Sequence, residues 1–170
     1  MSIARTAWLV SVLVILPYPT AAPGRGPEPT PKVILSVGGD VPRPLKLTTP
    51  EFTRLRRQTL RAKDRDGREA EFEGVPLVAV LKEAGVKFGS DLRGPALANY
   101  LVVEAADGYR AVFSLPEVDP DYTDHIILLA DRRDGKPLGR EEGPLRVIVL
   151  GEKRHSRWVR QVIALKVGRG

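Results

Sequence analysis

Hydrophobic positions fall in short runs separated by polar turns, and the runs alternate more often than they follow a helical period. Val33 to Val37 is a short β-branched stretch closed by Gly38-Gly39-Asp40, and Leu45-Lys46-Leu47 resumes the alternation after Pro42 and Pro44. Both segments predict strands. Gln58 to Lys63 and Glu69 to Phe72 flank Asp64-Arg65-Asp66-Gly67. The Asp-Gly pair supplies the positive φ that a tight hairpin turn needs. Tyr100 to Ala105 and Tyr109 to Phe113 are strand-like runs joined at Asp107-Gly108, while Ile126 to Ala130 and Leu145 to Leu150 have the continuous apolar character of buried strands. Trp158 to Val167 closes the series as a further strand.

Helical signals are fewer. Thr49-Pro50-Glu51-Phe52 places a capping hydroxyl, an early proline and an acid in order, which predicts a helix of about two turns ending near Arg57. Pro76 starts a second helix, with Leu77, Val80, Leu81 and Ala84 on one face and Gly85 as a left-handed stop. The segment Ser90 to Ala96 reads as a loop. Strands outnumber helices and do not alternate strictly with them, so the expected fold class is α+β, with mixed or antiparallel sheets and a few short helices.

The N-terminus follows a different pattern. Arg5 precedes an apolar run from Ala7 to Leu16, followed by Pro17 and the small residues Thr20-Ala21-Ala22. This order of positive, apolar and small is that of an export signal, and the run is short for a permanent membrane span. Residues 1–22 are therefore expected to be a signal peptide and 23–31, rich in proline and glycine, an extended linker. One domain is expected over 32–170, exported to the periplasm or secreted, with membrane contact only through an uncleaved signal.

Composition narrows the chemistry. The 170 residues contain no cysteine, which excludes thiolate metal sites, iron-sulfur clusters and cysteine nucleophiles. The net charge of +6 comes from basic residues interspersed with acids, and aromatics make up only 6%. That balance describes a solvated surface, and no nucleic-acid partner is expected. The two histidines are His125 and His155. Neither is placed for a hydrolytic triad, and the acidic run Glu117 to His125 lacks the spacing of a calcium loop, so no metal site is expected.

The segment Gly151 to Trp158 gathers Lys153, Arg154, His155 and Arg157 beside an indole. Guanidinium forks suit phosphate or sulfate, and Trp158 can cover a flat ring. Arg146 and Tyr109 complete the candidate ligand-binding set of Tyr109, Arg146, Lys153, Arg154, His155, Arg157 and Trp158. The expected partner is an anionic small molecule or an envelope protein.

Taken in order, several segments resemble the molybdopterin-binding domain of the sulfite oxidase family. They are Phe72-Glu73-Gly74-Val75-Pro76-Leu77 with Ala84-Gly85, Ala105-Ala106-Asp107-Gly108-Tyr109 with Phe113-Ser114-Leu115, Ile127-Leu128-Leu129-Ala130 with Asp134-Gly135-Lys136-Pro137-Leu138, Gly143-Pro144-Leu145-Arg146-Val147, and Trp158-Val159. The resemblance, closest to compact free-standing bacterial versions, implies a mixed α+β fold. It also implies a molybdenum ion held by a pterin dithiolene and one protein cysteine. That cysteine is expected between the first helix and the Gly-Val-Pro-Leu segment, where the chain reads Gln58-Thr59-Leu60-Arg61-Ala62-Lys63. A soft thiolate sets the reactivity of such a centre, and none is present.

The resemblance thus carries the name of an oxidoreductase without the ligand for one. Three readings follow: a non-catalytic or vestigial binding module, a molybdopterin enzyme with an atypical cysteine-free centre, and an envelope scaffold for a membrane redox protein. No cofactor is expected, and molybdopterin enters by the resemblance alone.

Overall fold

A computed structural model of the chain describes residues 31–170. The expected signal peptide and residues 23–30 of the expected linker lie outside the described residues. Ten strands and three short helices follow one another as β1 (Val33–Gly39), β2 (Leu45–Thr48), α1 (Thr49–Thr53), β3 (Gln58–Lys63), β4 (Glu69–Pro76), α2 (Leu77–Glu83), β5 (Tyr100–Ala105), β6 (Arg110–Ser114), α3 (Leu115–Val118), β7 (Ile127–Arg133), β8 (Lys136–Pro137), β9 (Arg146–Val149) and β10 (Val162–Gly168). They form two sheets. The first has the order β2-β1-β10-β5-β6 and is mixed, because β1 and β10 run parallel. The second has the order β3-β4-β7-β8, with β9 also pairing β7, and is antiparallel throughout.

Alternation explains the first sheet. Leu35, Val37, Leu101, Val103 and Phe113 point into the core. On the outer face Glu104 bridges Lys166 at 2.7 Å and Arg110 at 3.0 Å, an ionic rung across three strands. The second sheet is more deeply buried: all four residues of β9 and the first four of β7 are buried. That accounts for their continuous apolar runs. One apolar cluster contains side chains from both sheets and all three helices.

Some boundaries differ from expectation. Helix α1 is capped by Thr48 rather than Thr49, because Glu51 returns to the Thr48 amide at 2.8 Å and so closes a capping box one residue earlier. It also stops at Thr53. The loop between Ser90 and Ala96 contains 3-10 turns at Gly89–Asp91 and Gly94–Ala98. The final strand starts at Val162, not Trp158. Its first residues are diverted by backbone bonds to the β9 segment, Val147 N to Val159 O at 2.8 Å and Val162 N to Leu145 O at 2.9 Å. Helix α3 was not anticipated, although Ser114 and Glu117 form its capping box. Gly67 and Gly85 take positive φ, 81° and 83°, as their turn and stop roles require. Among the described residues no helix is long and apolar enough to cross a membrane.

Candidate functional site

Strand β3 shows only two residues to the interior in the segment where a cysteine ligand is expected, Leu60 and Ala62. The chain then turns at Asp64, whose side chain is 4% exposed. Across the core, β9 begins with Arg146, 2% exposed. The two meet as a forked pair, with Arg146 Nη2 donating to Asp64 Oδ1 at 2.7 Å and Nη1 to Oδ2 at 3.2 Å. Glu142 accepts a further bond from Arg146 Nη1 at 2.8 Å, and Arg133 Nη1 approaches Asp64 Oδ2 at 2.7 Å.

Aromatic rings complete the cage. The Arg146 guanidinium lies 5.5 Å from the Phe72 centroid and 5.4 Å from that of Trp158, and the two rings meet edge to face at 6.0 Å. Such stacking suits a weakly hydrated, planar cation removed from water. Arg146 Nε is buried without a partner. Asp66 and Asp134 also approach Arg133, at 3.7 and 3.6 Å, so both guanidinia are matched by carboxylates and neither is left free for a ligand. Burial pushes the Asp64 carboxyl upward, but hydrogen bonds from Arg146 and the Arg65 amide, with the Arg146 and Arg133 charges, outweigh it and hold Asp64 below its ordinary value.

The basic segment divides into committed and open groups. Arg157 donates from Nε to Glu152 at 2.6 Å and from Nη1 to Glu117 at 2.9 Å, and lies 4.6 Å from the Phe113 centroid. Burial would lower its pKa, but the bonds to Glu117 and Glu152 prevail and raise it. Lys153 and Arg154 are exposed and form no ion pair among the described residues. His155 packs on Trp158 with centroids 4.1 Å apart, and Trp158 Nε1 donates to Val149 O at 3.2 Å. Tyr109 is half exposed and donates its hydroxyl to Ser156 O at 2.7 Å, which fixes it beside the 3-10 turn His155–Arg157.

Two clefts adjoin this turn. One, of ≈ 540 Å³, is bounded by Ala62, Lys63, Arg65, Lys153, His155 and Trp158, among others. Its neighbour, of ≈ 440 Å³, shares Arg65, His155 and Trp158 and extends to Tyr109 and Arg160. Of the seven expected residues, the structure therefore gathers Tyr109, Lys153, His155 and Trp158 around one turn. Arg146 and Arg157 lie outside both clefts, bound to acids, and Arg154 lines neither. Asp64 and Arg65 were missed. Both sit in a hairpin turn whose residues are explained locally, and the Asp64–Arg146 pair spans 82 residues of chain.

Molybdenum chemistry can be weighed against these donors. The inward-facing cleft residue on β3 is Ala62, no cysteine exists in the chain, and both Asp64 oxygens are engaged by guanidinia. These residues do not fit a thiolate-ligated molybdenum centre. Among the described residues no group of three or more His, Cys, Asp or Glu side chains is arranged to hold any metal ion.

The comparisons with known proteins agree with the fold. The chain superposes on the sulfane dehydrogenase SoxCD from Paracoccus pantotrophus with a TM-score of 0.62 and 26% sequence identity, over 78% of this chain and 37% of that one. It thus matches well under half of the length of that chain. No curated protein matches it. The family model described as "Oxidoreductase molybdopterin binding domain" matches residues 63–168. That span is more than half of the 170 residues and takes in every strand from β4 to β10, so the chain belongs to the oxidoreductase molybdopterin-binding domain family of the sulfite oxidase type, as a member without cysteine.

Proposed function

We propose that this protein is an exported, non-catalytic member of its family that captures an anionic ligand or a partner in the clefts around His155 and Trp158. The observation that carries this reading is the presence, where a sulfur donor is expected, of an ion-pair cluster that occupies both Asp64 oxygens. Ala62 faces the cleft, and the Asp64 carboxylate just beyond it is held by Arg146 and Arg133. With both of its oxygens engaged, the Asp64 carboxylate has no donor atom free to stand in for a thiolate. Lys153, by contrast, lines a cleft without an ion pair and is free to meet an anion, and His155 with Trp158 offers an aromatic wall. Export is supported by the positive, apolar, small order of residues 1–22.

The reading is tested by turnover. Protein from a host that makes molybdenum cofactor should show no oxo transfer with dye acceptors for any sulfur or nitrogen oxyanion donor. Activity that disappears on Arg146→Met or His155→Ala, with the fold retained, would establish the atypical enzyme instead.

A further inference from the structure

A second concavity lies away from these clefts and shares no residue with them. We propose that it binds a small amphipathic anion, a carboxylate carried on a compact apolar body. The first indication is in the sequence of α2. Leu77, Val80 and Leu81 are completely buried, so they satisfy the core. Val78 and Ala79 fall on the other side of the helix and are only half buried. A helix face turned to water is normally polar, yet here the apolar run from Pro76 to Leu81 is unbroken.

The second indication is what that face looks onto. Val78 and Ala79 line a cleft of ≈ 710 Å³ with Val118, Pro120, Ile126 and Ile127. Its volume lies within the range of roughly 300–1,000 Å³ typical of small-molecule sites. The apolar wall faces a polar side of Arg56, Arg57, Gln58, Lys82, Glu83 and His125, a division that suits a ligand part apolar and part polar. A concave floor of this kind suits a compact apolar body better than the flat face of another protein.

Charge at the rim supplies the head-group preference. Arg57 is neutralised by Glu73 at 2.7 Å and Asp131 at 2.6 Å. Arg56 and Lys82 line the cleft and form no ion pair among the described residues, although Lys82 stands 5.9 Å from the Phe88 centroid. Glu83 is the one acid in the lining, beside Lys82 on α2, so the anionic head belongs toward Arg56. A monoanion satisfies this arrangement, and a polyanion would meet the Glu83 carboxylate.

The inference stands independently of the proposed function and is tested separately. The full chain is titrated with octanoate and, in parallel, with 1-octanol, following backbone amide shifts by NMR. Saturable shifts at Val78, Ala79 and Ile127 are expected with both. Arg56→Glu should weaken octanoate by at least about tenfold and leave 1-octanol unchanged. Ala79→Trp should abolish binding of both by filling the cleft, and Arg56→Glu, on an exposed side chain, decides the question if the tryptophan variant does not fold. Absence of saturable shifts, shifts centred elsewhere, or equal octanoate affinity in Arg56→Glu would overturn the proposal. So would concentration-dependent shifts of the same amides without ligand, which would mean that a second copy of the chain covers this face.

Discussion

Asp64 and Arg146 are charges placed where only a few per cent of their surface meets water, and their energetics follow from that position. Removing one partner from a buried pair leaves the other unsatisfied, at a cost of about 3 kcal/mol or more, whereas removing both is far milder. Asp64→Asn is therefore expected to lower unfolding stability by about 3 kcal/mol in urea titrations. The Asp64→Leu, Arg146→Met double variant should lose less than the two single changes added together. The pH dependence has a definite sign. Asp64 and Glu117 are held below their ordinary values of 3.8 and 4.5, so the unfolded chain binds protons more readily than the folded one. Their contribution is complete above those ordinary values and is lost as pH falls through the depressed folded ones. Urea midpoints should accordingly decline as the pH is taken below about 4.5, and the decline should be shallower in Asp64→Asn.

At the scale of elements, β4 and β7 approach each other closely at Gly74. Gly74 sits beside a register shift between Glu73 and Gly74. A Cβ there would overlap the Leu129 carbonyl oxygen and stand 2.5 Å from Ala130 Cα. Both contacts are backbone and cannot yield cheaply. Gly74→Ala is expected to cost at least about 3 kcal/mol or prevent folding, as read by circular dichroism and thermal unfolding. Gly67→Ala, with open space around its Cβ but a positive φ, should cost only about 1 kcal/mol.

The same elements show which features the sequence carries. Strands β3 and β5 have the boundaries that alternation predicts, because each buries one face against a core and leaves the other wet. Helix α2 was legible for a similar reason, with its apolar spacing and Gly85 stop agreeing. Trp158 to Gln161 could not be read as irregular, since its departure from strand geometry is imposed by hydrogen bonds to a distant segment. The site divides along the same line. The gathering of His155 and Trp158 follows from their closeness in sequence, while the capture of Arg146 by Asp64 depends on a tertiary approach between two hairpins. Arg157 looked free because one of its acids, Glu117, is 40 residues away in the chain, although the other, Glu152, precedes it by five.

For the molecule as a whole, family and chemistry diverge. Two sheets around a shared core, and a family match that begins at Lys63, place the chain among molybdopterin-binding domains. The interior where a thiolate is expected contains Ala62 and an ion-pair cluster in which Arg146 and Arg133 engage both Asp64 oxygens. A fold can persist while its site is rebuilt, because sheet packing and metal ligation rest on different residues. The central claim is that this interior cannot retain molybdenum. Elemental and pterin analysis of the full chain, purified from cells that assemble the molybdenum cofactor, addresses it directly: the account predicts molybdenum and pterin far below one per chain, and a stoichiometric content of both would contradict it.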